Sequence, residues 1–354
     1  MDRLQRRLLV KSIRNARNAL LVRINRKLGR EFIPVTRHSL SIETSSLCNL
    51  DCAFCAYPKK QSPRIVMSTE FFQDCVRQAV DMGYRDFDLT PCTGDPFMDR
   101  HLFDKLDFLD MEERVRQYNF FTNFTVPKPE HIEALPRFKK LGGLAISIYG
   151  HDLDTFREIT KSTATVYHRL VENLELLLRV KQEHGLKVFA IFHTGAASLR
   201  GRSSELITAL DRLEQAGCTV NTQKGLYNNW GGYVSDDDVK RLPIKIVGTD
   251  VVRKNGACVR LFTAVQIMAT GIVNGCGARD TDATLRLGDL HATKLRDIIS
   301  ARNPVYMELI AEQQSGAFRP VCRSCDFYTS IYHKSLSYDG AALQSLAEFK
   351  AALP

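Results

Sequence analysis

Three cysteines lie within eight residues of this 354-residue chain, at Cys48, Cys52 and Cys55. They follow residues 41–46, whose alternation is typical of the end of a β-strand. A loop this short can direct three thiolates at one metal centre but cannot supply a fourth. A 4Fe–4S cluster held by three cysteines keeps one iron open for a small molecule, whereas structural zinc takes four protein ligands. The spacing therefore favours an iron–sulfur cluster; for zinc, His38 is the nearest fourth ligand.

A second group of cysteines follows much later in the chain. Between its members lie an apolar alternation at residues 264–269, a Thr270-Gly271 turn and residues 272–273, a pattern that predicts a β-hairpin. Residues 293–314 are predicted to be helical. Four cysteines that end in a C-x2-C pair can fully ligate either a cluster or a zinc ion. The members of this group are Cys258, Cys276, Cys322 and Cys325.

The chain between the two groups alternates apolar strand-like and amphipathic helix-like segments. Six such pairs predict an α/β fold, in which a parallel sheet is covered by helices. Strands are predicted at residues 39–44, 84–90, 118–122, 143–148, 187–193 and 218–224. Helices are predicted at residues 68–82, 99–111, 130–138, 152–160, 165–184 and 203–216. The active site of such a fold lies where the strands end.

Polar side chains follow several of these predicted strands. Gly94 lets the backbone approach a ligand closely, and Asp95 offers a carboxylate acceptor for an ammonium group. The alternative for these two residues is a simple Gly-Asp-Pro turn. His193 follows the fifth strand, where it could contact a ligand or be a satisfied core residue. The single tryptophan, Trp230, precedes two glycines and could be either a substrate-facing wall or a cover for the core.

The first cysteine group, written C-x3-C-x-aromatic-C and placed after a strand, resembles the signature of the radical S-adenosylmethionine (radical SAM) enzymes. The resemblance implies a partial (β/α)6 barrel in which Cys48, Cys52 and Cys55 bind a 4Fe–4S cluster. It implies that SAM chelates the open iron and that Phe54 packs near the adenine. One electron, supplied by flavodoxin or ferredoxin, would then cleave SAM and release a 5′-deoxyadenosyl radical.

Three further segments resemble motifs of the same family. Residues 93–96, which begin with Thr93, Gly94 and Asp95, resemble the GGEP motif that meets the amino group of SAM. Asn123 lies in a segment that resembles T-N-G near the SAM ribose, although Phe124 replaces the glycine. Ser147 lies in a segment that resembles S-x-D-G, where the serine is near SAM. In a barrel mouth, His193 is a candidate contact for SAM or substrate.

The second cysteine group resembles the twitch domain, the short form of the SPASM extension, of the aminoglycoside alcohol dehydrogenase type. The resemblance implies one auxiliary 4Fe–4S cluster and oxidation of a carbinol on a sugar, cyclitol or glycan-type substrate. Epimerisation is an alternative, with Cys92 returning a hydrogen atom, and so is peptide modification. A different class also stays open: a non-catalytic iron–sulfur or zinc scaffold docked on RNA.

The net charge of +9 is concentrated near the start of the chain. Residues 1–36 carry ten Lys and Arg residues against Asp2 and Glu31, a net +8. Residues 2–29 predict one amphipathic helix, because Leu9, Ile13, Ala16, Leu20, Ile24 and Leu28 recur at steps of three or four. Such a helix can dock on its own domain, lie on an anionic membrane surface through residues 1–30, or bind RNA or an acidic partner.

Three units are expected along the chain. The basic helix occupies residues 1–37, the barrel residues 38–245 and a small α+β auxiliary domain residues 246–354, with residues 235–246 as a linker. A charged start and the absence of a run of about 18 apolar residues predict a cytoplasmic location, peripheral to the inner face of the membrane if the helix binds lipid. Binding to nucleic acid is disfavoured, because the remainder of the chain is near neutral.

Overall fold

The computed structural model describes residues 3–35, 39–196, 198–248, 252–335 and 340–354. His38 and the predicted boundary between residues 37 and 38 lie outside these ranges. Among the described residues, no helix combines the length and the apolar character needed to cross a membrane.

The elements are numbered here in chain order. The first part of the chain forms α1 (Arg3–Lys27), β1 (Ile33–Pro34), β2 (Ser39–Ile42), α2 (Thr69–Asp81), β3 (Asp86–Asp88), α3 (Leu102–Met111), β4 (Gln117–Thr122), α4 (Pro129–Ala134), β5 (Leu141–Tyr149), α5 (Leu153–Thr160), α6 (Ala164–His184), β6 (Val188–His193), α7 (Glu205–Gln215) and β7 (Thr219–Gln223). The second part forms β8 (Leu226–Tyr227), β9 (Lys245–Ile246), α8 (Arg260–Thr263), β10 (Gln266–Ile267), β11 (Ile272–Asn274), β12 (Arg286–Asp289), α9 (Leu295–Ile298), α10 (Pro304–Ser315), α11 (Pro320–Ser324), β13 (Leu343–Gln344) and α12 (Leu346–Ala352).

Strands β2 to β7 lie side by side in chain order and are all parallel. Helices connect them, so every strand ends at the same edge of the sheet. Alternate residues of β4 and β6 are buried; in β4 these are Tyr118, Phe120 and Thr122. The predicted α/β class and the partial (β/α)6 barrel are confirmed.

The predicted hairpin at residues 264–273 corresponds to β10 and β11, which pair antiparallel across a tight turn. β10 also pairs in parallel with β2 at the edge of the barrel sheet. The hairpin and β12 therefore continue the barrel sheet, and they carry the segments around the second cysteine group to the side of the first.

Two predicted segments differ in the structure. The helix expected at residues 293–314 is divided into α9 and α10, because Pro304 begins a new helix whose first turn is capped by the side chain of Asn303. The expected linker at residues 235–246 is not an exposed linker. Val239, Leu242 and Ile244 are buried in a cluster that also contains Cys52 and Phe54. This stretch is thus part of the packing that supports the cysteine loop.

Candidate functional site

The first cysteine group lies in the loop after β2, at the edge where the parallel strands end. Cys52 is buried, and Cys48 and Cys55 are half-buried. The backbone N–H groups of Asp51 and Ala53 donate to the carbonyl oxygens of Thr160 and Ile159, at 3.1 and 2.8 Å. The loop is therefore held against the end of α5.

The three thiols lie close enough to influence one another. Burial raises the pKa of all three, to about 11 for Cys55. The charges of Cys55 and Cys48 raise the pKa of Cys52 further. Two donors already reach the sulfur atoms: the backbone N–H of Tyr57 to Cys55 Sγ at 3.4 Å, and Asn123 Nδ2 to Cys48 Sγ at 3.8 Å. Three converging thiols with N–H donors around them fit a cluster that leaves one iron open.

Asn123 also organises this loop through Asn49. Its Nδ2 donates to Asn49 Oδ1 at 2.9 Å, and Asn49 Nδ2 donates to Thr125 Oγ1 at 2.8 Å. No motif in the sequence assigns a role to Asn49. In the structure it joins the cysteine loop to the end of β4.

The Gly94–Asp95 turn is wedged against the same loop. A Cβ on Gly94 would come within 2.8 Å of the Ser45 carbonyl oxygen, and the φ of Gly94 is +150°, so this position requires glycine. The backbone N–H of Asp95 donates to the Leu47 carbonyl oxygen at 2.7 Å. Thr93 is buried, and its hydroxyl hydrogen-bonds that of Thr281, which follows Cys276 of the second group by five residues.

The Asp95 carboxylate is buried and accepts several hydrogen bonds from the protein itself. Its oxygens accept from the Asn123 N–H at 2.6 Å, the Phe97 N–H at 2.9 Å and the Thr122 hydroxyl at 3.0 and 3.1 Å. Burial raises the pKa of this carboxyl to about 6, against these donors. Asp95 therefore anchors the end of β4; its predicted contact with an ammonium group stays a prediction.

Phe124 explains the departure from the T-N-G pattern. Its φ is +59°, the left-handed conformation that a glycine adopts easily. The Phe124 side chain is fully buried, and its carbonyl oxygen accepts a hydrogen bond from Asn173 Nδ2 at 3.0 Å. The backbone turn is thus kept without glycine, because core packing and this hydrogen bond hold it.

Four aromatic rings meet above the cysteine loop: Phe54, Tyr149, His193 and Tyr227. The centroid of the Phe54 ring lies 5.3 Å from Tyr149, 5.4 Å from His193 and 4.7 Å from Tyr227. Ser147 precedes Tyr149 by two residues on β5 and so shares its face of the sheet. Phe54, Ser147 and His193 therefore lie in one region. Their contacts with SAM or substrate stay a prediction.

His193 is neutral in this stack, because burial lowers the pKa of its imidazole from 6.5 to about 4. Its Nδ1 atom is buried without a hydrogen-bond partner among the described residues. A folded-state pKa below the unfolded value means that stability is lost as pH falls from about 6.5 towards 4. We expect His193→Phe to keep the ring contacts and to remove this loss, which is on the order of 2–3 kcal/mol at pH 4.

Urea unfolding at pH 7 and pH 4.5 measures this effect as a difference between wild type and variant. The exposed histidine at the end of α6, changed as His184→Gln, is the control. An equal change of the unfolding free energy with pH in wild type and His193→Phe would contradict the prediction.

Cys92 lies between the two cysteine groups. It is buried beside Met268 and Ala283, with Trp230 packed on the same cluster. Its backbone N–H donates to Glu43 Oε1 at 3.1 Å, and Glu43 Oε2 accepts from the Ala269 N–H at 3.0 Å. Burial raises the pKa of the Glu43 carboxyl. Glu43 thus ties the end of β2 to the loop after β3 and to the hairpin.

The second cysteine group lines one cavity. Its lining includes Cys258, Cys276, Cys322 and Cys325, together with Arg260, Arg279 and Phe327. Burial raises the pKa of each of these thiols, to about 11 for Cys276 and about 12 for Cys325. The charge of another cysteine of the group raises the pKa of Cys276, Cys322 and Cys325 further. Four buried thiols around one cavity fit a fully ligated cluster.

Gln313 connects two of these cysteines from the buried face of α10. Its Oε1 accepts from the Cys258 N–H at 2.8 Å, and its Nε2 donates to Cys322 Sγ at 3.2 Å. A third donor is the Phe327 backbone N–H, 3.3 Å from Cys325 Sγ. In the sequence, the sign of this role is a glutamine at a position where the helical periodicity predicts an apolar residue.

The Asn-Trp-Gly-Gly segment joins the two groups. The backbone N–H of Asn229 donates to Asp326 Oδ2 at 2.9 Å, next to Cys325. A Cβ on Gly231 or Gly232 would come within 2.8 Å of Val321 or 2.6 Å of Ser324, so both glycines permit this approach. Trp230 packs against the clusters that contain Cys52 and Cys92 and lies over the guanidinium of Arg279. The tryptophan is therefore a wall between the two cysteine groups.

Within the described ranges, no three His, Cys, Asp or Glu side chains converge closely enough to hold a single metal ion. Ligands of a 4Fe–4S cluster stand farther apart than ligands of one ion, since iron and sulfide atoms lie between them.

Comparison with known proteins adds independent information. A family model described as the Radical SAM superfamily matches residues 42–198. No curated protein matches the chain in sequence. Among solved structures, the chain is similar to Streptococcus suis SuiB bound to precursor peptide SuiA, with a TM-score of 0.54 and 17% identity over 83% of this chain and 72% of that one.

Two further structures are similar at the level of the fold. BtrN in complex with AdoMet and 2-DOIA has a TM-score of 0.51 and 11% identity, covering 86% of this chain and 98% of BtrN. The anSMEcpe structure with bound AdoMet has a TM-score of 0.51 and 14% identity, covering 89% of this chain and 96% of that one. The region that matches the Radical SAM superfamily model contains Cys48, Cys52 and Cys55 and most of the parallel sheet.

Proposed function

We propose that this chain is a radical SAM oxidoreductase that oxidises a carbinol of a sugar, cyclitol or glycan-type substrate. The observation that carries the proposal is the second cavity lined by four cysteines, which adjoins the radical SAM domain through Trp230 and Cys92. A cluster in that cavity would be near enough to act on a substrate radical formed at the first site. The similarity to BtrN, an 11%-identical structure solved with AdoMet and 2-DOIA, supports the fold only.

The proposed oxidation needs a different contribution from each of the two sites. When bound, a reduced 4Fe–4S cluster and SAM supply a 5′-deoxyadenosyl radical that takes a hydrogen atom from a C–H bond, leaving methionine and 5′-deoxyadenosine. The substrate carbon then holds one unpaired electron. A 4Fe–4S cluster held by Cys258, Cys276, Cys322 and Cys325 would supply the one-electron acceptor; loss of that electron and of the hydroxyl proton converts the carbinol into a carbonyl.

The residues of this chain would hold the two clusters, orient SAM and keep water away from the radical. Cys48, Cys52 and Cys55 would hold the first cluster, and Cys258, Cys276, Cys322 and Cys325 the second. Asp95 and Asn123 hold the loops on which Thr93 and Gly94 would meet the amino group of SAM. Phe54, Ser147 and His193 would line the space for the adenosyl group. The buried aromatic rings around Phe54 limit access of water to a reactive radical.

Flavodoxin or ferredoxin is the proposed electron donor for the first cluster. Peptide modification is the alternative suggested by SuiB, whose structure contains a precursor peptide. Epimerisation is favoured by one observation, the burial of the Cys92 thiol between the two groups, from which it could return a hydrogen atom.

One combined experiment tests the proposal against a non-catalytic scaffold. The protein is reconstituted anaerobically, iron and sulfide are counted, and SAM cleavage by dithionite-reduced protein is measured. Two clusters, about eight irons per chain, together with 5′-deoxyadenosine formation support the proposal. Zinc in both sites, or iron without SAM cleavage, would contradict it.

The N-terminal helix supports a location at the inner face of an anionic membrane. Seven of the eleven large hydrophobic residues that are exposed in the described structure lie on residues 9–28, with exposures of 45–62%. They form one stripe: Leu9, Val10, Ile13, Leu20, Leu21, Ile24 and Leu28. The face turned to the protein buries Val22 in the core and otherwise makes polar contacts, such as the hydrogen bond from Asn25 Nδ2 to the Tyr332 carbonyl oxygen at 3.0 Å. An amphipathic helix that docks by its polar face leaves its apolar face for another partner.

A basic cleft lies beside this stripe, at the end of β7. Its volume is about 580 Å³, and it is lined by Arg6, Arg7, Lys11, Arg14 and Lys224, with Val10 shared with the apolar stripe. None of its described lining residues is acidic. Several cations clustered in one cleft favour phosphate groups; the carboxylate of Asp326, outside the lining, acts on Lys11. A lipid-linked glycan that carries phosphate is the substrate that would satisfy both surfaces.

We expect the protein to sediment with anionic liposomes at low salt and to be released by high salt, because each engaged basic residue contributes about 1 kcal/mol and the stripe adds burial. Ile13→Asp with Leu20→Asp should abolish sedimentation without unfolding, since both side chains are exposed. Met111→Asp, at an exposed apolar position elsewhere, is the matched control. Wild-type protein that stays in the supernatant with anionic liposomes at low salt would exclude the membrane surface.

A further inference from the structure

Two arginines share the cavity of the second cysteine group. Arg260 and Arg279 both line it, and both guanidinium groups lie over the ring of Phe327, at 4.7 and 4.1 Å from its centroid. Arg279 also lies 4.6 Å from the centroid of Trp230. Aromatic contacts on these sides hold the guanidinium planes in place, so their N–H groups have a fixed direction.

Both guanidinium groups have unused donors. The Nε atoms of Arg260 and Arg279 are buried and have no hydrogen-bond partner among the described residues. The neighbouring Asp280 does not satisfy them, since its carboxylate accepts from the Thr284 N–H and hydroxyl and from the Leu285 N–H. A buried donor without an acceptor is costly, by about 1–3 kcal/mol in typical cases, so a missing acceptor is expected here.

The available acceptors are the thiols of the cavity and one oxygen of Asp326, which is also buried without a partner among the described residues and whose charge acts on Arg279. The existing donors to the thiols are neutral: the Gln313 amide, 3.2 Å from Cys322 Sγ, and the Phe327 N–H, 3.3 Å from Cys325 Sγ. A 4Fe–4S cluster with four thiolates carries net negative charge, and nearby charges and N–H···S bonds set its reduction potential. Positive charge favours the reduced form, because reduction adds one negative charge.

We propose that Arg260 and Arg279 are the cations that raise the reduction potential of the auxiliary cluster, so that it can accept an electron from the substrate carbon. This inference rests on the proposed function. One electron leaves the carbon-centred radical and reduces the oxidised cluster by one unit, the hydroxyl proton leaves, and a carbonyl forms. Neither arginine gains or loses a proton in this step; both are positioning residues.

Arg279 also relates the cavity to the first site. Its positive charge opposes the rise in pKa that burial causes at Cys55 of the first group and at Cys92. The contact of its guanidinium with Trp230, which packs on the cluster that contains Cys52, places Arg279 on the side of the cavity that faces the first site.

The test measures the potential of the auxiliary cluster directly. In full-length protein with Cys48, Cys52 and Cys55 changed to alanine, only the auxiliary cluster contributes to the EPR spectrum of a redox titration. Arg279→Gln and Arg260→Gln should each lower the midpoint potential by at least the equivalent of a tenfold change in the one-electron equilibrium, about 59 mV. Arg279→Lys, which keeps the charge, should move it less. Arg319→Gln, a surface arginine paired with Glu312 in the same domain, should leave it unchanged.

The outcomes separate the inference from the proposed function. If the parent protein holds no iron in the second group, the proposed function and the inference fail together. If iron is bound and the potential is the same in both glutamine variants, or shifts equally in Arg319→Gln, only the inference fails. Loss of iron from Arg279→Lys would give the residue a role in assembly and overturn the inference as well.

Discussion

SAM cleavage is expected to disappear when Cys48, Cys52 and Cys55 are all changed to alanine, while about half of the reconstituted iron is retained. The three thiols are the only sulfur ligands within this loop, and a cluster cannot be held there without them. The second group is separate in the chain and lines its own cavity, so its iron should be unaffected. Dithionite-driven formation of 5′-deoxyadenosine and iron counting are the two measurements.

Cys75 and Cys218 provide matched controls for this variant. Both are buried in the main core, on α2 and just before β7, and neither belongs to a cysteine group. Cys75→Ala and Cys218→Ala should keep full iron and full SAM cleavage at some cost in stability. Retention of SAM cleavage by the triple alanine variant would refute the assignment of the first site.

The second large effect is expected at the auxiliary group. Cys276→Ala or Cys322→Ala should leave SAM cleavage in progress but abolish formation of the oxidised product. SAM cleavage and hydrogen abstraction come before the electron transfer for which the auxiliary cluster is proposed, so only the later step should be lost. The readout is the ratio of oxidised product to 5′-deoxyadenosine, measured with a phosphorylated glycan or cyclitol substrate and checked by iron content.

A Cys92→Ala variant distinguishes oxidation from epimerisation in the same assay. Under oxidation, Cys92 is a packing residue beside Met268 and Ala283, and the product ratio should persist. Under epimerisation, its loss should stop turnover after hydrogen abstraction. Normal product formation by Cys276→Ala, with the auxiliary iron demonstrably absent, would rule out an electron-accepting cluster.

The first prediction uses a cysteine spacing that is visible in the sequence, because a loop of eight residues keeps its three thiols close together by covalent geometry. The second uses four cysteines that are far apart in the chain and that the fold brings to one cavity. The α/β alternation was equally readable, since each strand and helix reports its burial through local periodicity. The parallel sheet and its functional edge followed from that alternation. Individual boundaries were less certain; Pro304 and the side-chain cap at Asn303 divide one predicted helix into two.

Contacts between segments far apart in the chain could not be predicted from local sequence patterns. Residues 235–246 have the composition of a linker, yet Val239, Leu242 and Ile244 pack beside Phe54 of the cysteine loop. The pairing of β10 with β2 could not be predicted, because a two-residue strand carries no signal for its partner. Phe124 departs from a glycine motif and still adopts φ +59°, since its buried ring and the Asn173 hydrogen bond compensate the unfavourable backbone.

By itself, the sequence determined the close spacing of Cys48, Cys52 and Cys55, the parallel βα architecture and the amphipathic character of α1, since all three depend on neighbours along the chain. Only the tertiary structure decided which way α1 faces, which residues surround the cysteines and where Arg279 lies. Those properties depend on the balance of burial and hydrogen bonding between segments far apart in sequence. The polar face of α1 docks because Asn25 and Arg26 find carbonyl acceptors on the protein, and its apolar stripe is left exposed.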